Sequence, residues 1–307
     1  MGHVPIRMST LRGDQKIEFD TYVKINEKYI LYLRRGDSFE GTRLSRLKEK
    51  KLKKMFIQDE DEGNYRNYLN RNISVAYDSK SGKSLETRSE IIQGQQQAVA
   101  EEIMEDPGNE YVYQEAKQAV GQFVDFLMKE DAGLSAVLNI ENVDQNIVHH
   151  GVTVSSLSVG LAKKLGTVEP RQMQLMSLGA LLHDFGHFHS QQAINKPLAS
   201  FSPEEMELYK KHPIDGGRLA QDKEHFDQTV INIIVEHEEW IDGKGFPQGL
   251  TEAKIDPLAL LVGAANALDR IITFEGVPKA QAHKHMMMNA LGRYPLNYIK
   301  ILGELIK

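Results

Sequence analysis

The stretch Leu181-Leu182-His183-Asp184-Phe185-Gly186-His187 organises this chain. It closes an apolar run, Met176 to Leu182, that reads as a buried helix. A histidine and an aspartate at the end of such a helix sit in a nearly dry environment. Burial of that kind is unfavourable unless the groups are paired or hold a cation.

Working outward, eight of the eleven histidines fall between positions 149 and 237. His150, His183, His212 and His237 are separated by 33, 29 and 25 residues. A helix, a loop and a return helix consume about that much chain, so each can reach the same end of a helical bundle. Asp184 beside His183 lets one helix end supply two ligands, and its two oxygens can bridge a pair of cations. Taken singly, each histidine has a plainer reading: His149 or His150 as a cap, His212 at the break made by Pro213, His225 as a surface residue. Together they point to metal.

The loop His237-Glu-Glu-Trp-Ile-Asp242-Gly-Lys-Gly-Phe-Pro247 adds to that reading. Glycines on both sides of Lys244 let backbone come close to a ligand, Asp242 can orient a ligand histidine, and Lys244 can meet a phosphate.

Before this region the pattern changes. From Pro5 to Leu33 even-spaced apolar residues (Ile17, Phe19, Val23, Ile25) and the run Tyr29 to Leu33 after Asn26-Glu27-Lys28 predict a small sheet with a hairpin. Ser45 to Met55 predicts a short amphipathic helix with a solvated basic face, and Asn64 to Asn72 another short helix. The Gln-rich segment Thr87 to Met104 predicts a long helix with few core contacts. Helices are expected over 113–130, 134–140, 144–165, 171–185, 203–221, 228–239, 256–274 and 278–291. The expected fold is α+β: a small N-terminal α/β domain (1–75), a helical linker (76–133) and an all-α metal-binding bundle (134–307).

Composition limits the function. With no cysteine in 307 residues, disulfides and thiolate metal sites are excluded, so any metal is held by nitrogen and oxygen. A net charge of −6 argues against a broad grip on DNA but allows a local pocket for a small anion. No run of eighteen apolar residues predicts a membrane span, and the N-terminus lacks the pattern of a signal peptide, so the expected location is cytoplasmic, with no membrane partner.

The motifs His-Asp-x-Gly at His183, His-Pro at His212 and Asp-Gly-x-Gly-Phe-Pro at Asp242, in that order over about 135 to 300, resemble the HD-GYP family of HD-domain metallophosphohydrolases. The resemblance implies a bundle holding two or three metal ions, commonly iron or manganese, and hydrolysis of cyclic di-GMP. Position by position it implies metal ligation by His150, His183, Asp184, His212 and His237, with Asn266 in place of the usual aspartate. It also makes Glu238, in place of a second histidine, a candidate ligand. Asp184 is the expected bridge.

Several positions depart from the family pattern. Asn146 replaces the glutamate of three-metal members, so two divalent ions are expected: iron first, with manganese, zinc and nickel as alternatives. His187 replaces the usual lysine, Phe246 the signature tyrosine, and Glu275-Gly-Val-Pro278 the phosphate-gripping arginine region. The expected activity is hydrolysis of cyclic di-GMP or a related phosphodiester through a metal-bridging hydroxide, with Asp184, His187 and Lys244 as catalytic candidates. His187 is expected to titrate near neutrality and either to stabilise the transition-state phosphate or to protonate the leaving 3′-oxygen. The alternative is a metal-bearing module, weak or inactive in catalysis, that binds a nucleotide or a protein through the signature loop. The linker helices are candidates for pairing two chains.

Overall fold

A computed structural model describes residues 2–13, 15–50, 52, 54–140, 146–188, 190 and 195–307. The chain forms two compact units, Met1–Ala98 and Val99–Lys307.

In the first unit, strands β1 (His3–Arg7), β2 (Thr21–Ile25), β3 (Lys28–Leu33) and β4 (Lys54–Gln58) make an antiparallel sheet in the order β1-β4-β2-β3. Asn26 and Glu27 both adopt positive φ, 47° and 63°, so two residues turn the chain and Ile25 pairs with Lys28. Such a turn matches the twist of the flanking strands. Ile6, Ile17, Phe19, Met55, Ile57 and Tyr68 close the core beneath the sheet. Helices α1 (Arg43–Glu49), α2 (Glu62–Tyr77) and α3 (Leu85–Glu105) complete the N-terminal elements.

The helix expected over Ser45 to Met55 is corrected: it ends at Glu49, and Lys54–Gln58 is the strand that links β1 to β2. The alternation of buried Met55 and Ile57 with half-buried neighbours is the two-residue period of a strand, and it overrides the local helical spacing. The Gln-rich helix is also better covered than expected, because Gln93 and Gln96 are buried along with Ile91, Ile92 and Ile103. The expected linker, 76–133, contributes helices to both units.

The second unit is helical. Its elements are α4 (Glu110–Lys129), α5 (Gly133–Leu138), α6 (Ile147–Leu165), α7 (Pro170–Leu182), α8 (Phe185–Phe188), α9 (Pro203–Tyr209), α10 (His212–Gln221), α11 (Gln228–Glu236), α12 (Pro257–Thr273), α13 (Lys279–Asn289) and α14 (Leu296–Leu305). Helices α6, α7, α11 and α12 pack on one another at the centre; α6 and α12 are buried along most of their length, and α11 turns Val230, Ile231, Ile233 and Ile234 inward. Among the described residues no helix is long and apolar enough to cross a membrane.

Two departures from the expected helices shape the site. The segment 171–185 stops at Leu182, so His183 and Asp184 lie in the turn between α7 and α8. The segment 203–221 is not one helix. It breaks after Tyr209 and restarts at His212, whose neighbour Pro213 has no N–H to continue the earlier turn. The terminal helix α14 was not expected from the pattern.

Candidate metal centre

Helix ends, not helix middles, present the metal-ligand residues. His183 follows α7, His212 opens α10, His237 follows α11, and His150 lies in the first turn of α6. Close packing brings the ends together. A Cβ on Gly186 would lie 2.1 Å from the His212 carbonyl oxygen, so only glycine lets α8 rest against α10 there.

The local hydrogen bonds decide which nitrogen of each ring is available. The Nδ1–H groups of His183, His212 and His237 donate to the carbonyls of Ala180 (2.7 Å), Tyr209 (2.7 Å) and Ile234 (3.0 Å). His150 Nδ1 faces Asp269 Oδ2 at 2.5 Å. Carbonyl and carboxylate oxygens only accept, so every Nδ1 carries the proton and every Nε2 presents a lone pair.

Those four lone pairs surround Asp184. His183 and His150 lie 3.5 Å and 3.8 Å from Oδ2, and His212 and His237 lie 3.3 Å and 3.9 Å from Oδ1. Asp184 is 2% exposed, and neither oxygen has a hydrogen-bond donor among the described residues. The His212 and His237 Nε2 atoms are 2.9 Å apart, and His150 Nε2 is 3.0 Å from Asn266 Oδ1. In each case two acceptors face each other, an arrangement that repels unless a cation lies between them. Two ligands about 2.1 Å from a common ion stand roughly 3 Å apart. The donor set therefore fits nitrogen- and oxygen-bound divalent metal.

Electrostatics agree with this. Burial pushes the imidazoles of His183 and His212 down, that of His237 to about 3 and that of His187 to about 4, so all stay neutral. Burial pushes the Asp184 carboxyl up, but the attraction of a protonated ring at His183, His187, His212 or His150 outweighs it, so the carboxyl is held well below the usual carboxylate range and gives up its proton before those rings do.

The remaining predicted residues divide. Asn266 Nδ2 donates to Glu238 Oε1 (3.3 Å), which also accepts from Tyr209 (2.5 Å); burial raises the Glu238 carboxyl. Glu238 shares a group of potential ligand atoms with His212 and His237, all within 4.8 Å of one another. His187 forms another such group with Asp184 and His212, and its Nε2 is buried without a partner. Its position fits the expectation, but its titration does not: burial keeps it neutral far below pH 7.

Lys244 is not brought to the cluster. Its side chain is 78% exposed and lies 3.4 Å from Asp242. Asp242 likewise accepts from the Lys244 N–H, and among the described residues it bonds no histidine. Gly245 does make a close approach, but to its own chain: a Cβ there would lie 2.4 Å from the Trp240 nitrogen. His149 points away from the cluster, to the Ile140 carbonyl, and Asn146 caps α6 by accepting from the Val148 N–H. His225, expected at the surface, packs against Tyr113 and Phe226.

Sequence reasoning missed the residues that hold the ligands. Asp269 orients His150, and Glu239 accepts from the N–H groups of Gln248, Gly249 and Leu250, which ties down the glycine loop. Asp269 lies one helical turn after Asn266, a spacing that could have marked it. Tyr209 and Glu239 carry no comparable signal.

The HD domain family matches residues 137–295, which span all the histidine and carboxylate groups above. The chain belongs to the HD-domain family. It is of the HD-GYP type: a solved structure titled Bd1817, a HDG"Y"P protein from Bdellovibrio bacteriovorus, is 58% identical, covers 99% of both chains and superposes with a TM-score of 0.94. Curated relatives include the cyclic di-GMP phosphodiesterase PA4108 of Pseudomonas aeruginosa, 29% identical over 51% of this chain. The cyclic di-GMP phosphodiesterase PdeB of Borreliella burgdorferi is 27% identical over 50%. The chain covers 37% and 45% of those two proteins, less than half their length.

Proposed function

We propose that this HD-domain chain is a metal-dependent phosphodiesterase acting on cyclic di-GMP or a related phosphodiester. The observation that carries the reading is Asp184, a buried carboxylate with two unbonded oxygens, each facing a different pair of histidine lone pairs. The naming of the curated relatives supports the substrate class.

The donor set divides into two groups about Asp184. Oδ2 belongs with His150, His183 and Asn266, and Oδ1 with His212, His237 and Glu238. A divalent cation in each group, iron or manganese by family likeness, would supply Lewis-acid activation of water and charge neutralisation at phosphate. The protein's own part is to orient and to exclude water. Asp269 and the three backbone carbonyls fix the imidazole rings, which presents their Nε2 atoms in place.

An open cleft of about 640 Å³ reaches this cluster, lined in part by His187, His212, Lys211, Asp215, Arg218 and Lys223. His187 stands at its inner end. As a neutral ring it offers a hydrogen bond to a phosphate or leaving oxygen but brings no charge of its own.

The test is elemental analysis joined to a cyclic di-GMP turnover assay on one anaerobic preparation loaded with iron or manganese. Linear dinucleotide product, abolished by His183→Ala, supports the reading; a fully loaded protein that hydrolyses no cyclic dinucleotide sinks it. A second reading, a metal-bearing module that binds nucleotide without turnover, is favoured by one observation: His187 is held neutral where the family resemblance leads one to expect a lysine. Nucleotide affinity without product would select it.

A further inference from the structure

Arg270 lies in the last turn of α12 and is 6% exposed. Its Nη1 is buried without a partner, and among the described residues no hydrogen bond or ion pair engages its guanidinium. A buried Nη1 group whose N–H donors meet no acceptor is unfavourable in a folded chain. Nor is the side chain loosely placed. Its guanidinium lies 5.1 Å from the Tyr209 ring centre and 5.0 Å from that of Phe274, held between two aromatic faces.

Those two rings place it at the metal centre. Tyr209 is 4.9 Å from the His212 ring and 5.2 Å from that of His187, while Phe274 is 5.0 Å from the His150 ring. The guanidinium is thus bounded by rings that touch histidines from both sides of Asp184. The carboxylates near it are Glu238, bonded by Tyr209 and Asn266, Asp269, bonded by His150 and Thr273, Glu275, paired with His285 at 3.3 Å, and Asp184, whose two oxygens face the four histidine lone pairs. None of these carboxylates hydrogen-bonds Nη1, so among the described residues that donor is left for an anion from outside the chain.

We propose that Arg270 is the phosphate-binding cation of this site, its planar fork receiving non-bridging oxygens of a phosphoryl group lodged against the metal centre. It takes over the charge that Glu275 cannot bring at the position where the family resemblance implies a phosphate-gripping arginine. The inference rests on the phosphodiesterase reading for the identity of the substrate, not for the binding of phosphate itself.

The experiment titrates inorganic phosphate into the metal-loaded full chain by calorimetry, comparing wild type with Arg270→Met and Arg270→Lys, with metal content and Tm measured on the same samples. Loss of charge-assisted hydrogen bonds is expected to weaken phosphate binding about 10- to 100-fold in Arg270→Met. Arg270→Lys should recover part of it, with metal content unchanged in both. Phosphate affinity within twofold of wild type at full metal content overturns the proposal, as does a wild type that binds no phosphate. So does a fall in Tm without a change in phosphate affinity, which marks a structural role only. If Arg270→Met loads metal poorly, Arg270→Gln is judged by the same threshold. Because the titration needs no turnover, a protein that binds phosphate through Arg270 yet hydrolyses nothing would refute the phosphodiesterase reading and leave this inference standing.

Discussion

His150 Nδ1 lies 2.5 Å from Asp269 Oδ2, and the Thr273 hydroxyl in turn donates to both oxygens of Asp269 at 3.2 Å. The carboxylate thereby fixes the ring so that Nε2 faces Asp184. Partners of this kind typically contribute 10- to 100-fold to metal affinity. Asp269→Asn is expected to lower affinity by about that factor while leaving the fold intact, read by competition with a chelator of known strength. Unchanged affinity would remove Asp269 from the site.

Metal loading should depend on the Asp184 carboxylate. Asp184→Asn keeps the shape of the side chain but loses its charge and one of its two acceptor oxygens, so the variant is expected to load little metal. Elemental analysis of both proteins after loading checks this; equal metal content would remove Asp184 from the site.

Acidity should act through the same rings. The imidazoles of His183, His187, His212 and His237 are all depressed in the folded chain, the second to about 4 and the last to about 3. The unfolded chain therefore binds more protons below about pH 6.5, and stability falls as pH drops from there toward 4. Each such group adds about 1.4 kcal/mol per pH unit to the slope in that window. Denaturant melts of the metal-free protein between pH 7.5 and 4.5 should show the midpoint falling steadily; a flat profile contradicts the buried neutral histidines. Metal loading should weaken in the same direction, since protons compete for Nε2.

Glu239 holds the glycine loop from beneath. Its carboxylate, 1% exposed, accepts from the backbone N–H groups of Gln248 (2.6 Å), Gly249 (3.1 Å) and Leu250 (2.8 Å). Glu239→Ala leaves three donors without an acceptor, so the loop is expected to become a site of limited proteolysis between residues 240 and 250 while metal content is retained. Equal cleavage rates in variant and wild type would show that the loop is held by other contacts.

Tyr209→Phe tests the opposite wall of the site. The ring contacts survive, but Glu238 loses the hydroxyl that bonds it at 2.5 Å. Leaving a buried carboxylate short of a donor costs about 1–3 kcal/mol. A drop in Tm of roughly 2–4 °C per kcal/mol is expected for a unit of this size, readable by differential scanning calorimetry.

Much of this was legible in the residues. That His150, His183, His212, His237 and Asp184 come together was legible from residue type and helix-pair spacing, because ligand chemistry admits few residue types and a bundle of regular helices repeats its ends at regular intervals. The hairpin was legible for a similar reason: a polar turn between alternating apolar runs has few other solutions. Other features depended on contacts distant in sequence. Met55 had helical spacing but was drawn into a strand by β1 and β2, Lys244 had the right charge but was turned to solvent, and Asp242 bonded its own loop.

The amino-acid sequence by itself determined the donor set and the order in which it enters the bundle. Only the tertiary structure decided which nitrogen of each ring is bare, that Asp184 divides its oxygens between two histidine pairs, and that Asp269, Glu239 and Arg270 belong to the site. The physical reason is that residue type sets what a side chain can bind. Whether it is free to bind depends on burial and on hydrogen bonds made across 119 residues in the case of His150 and Asp269, which no local pattern encodes.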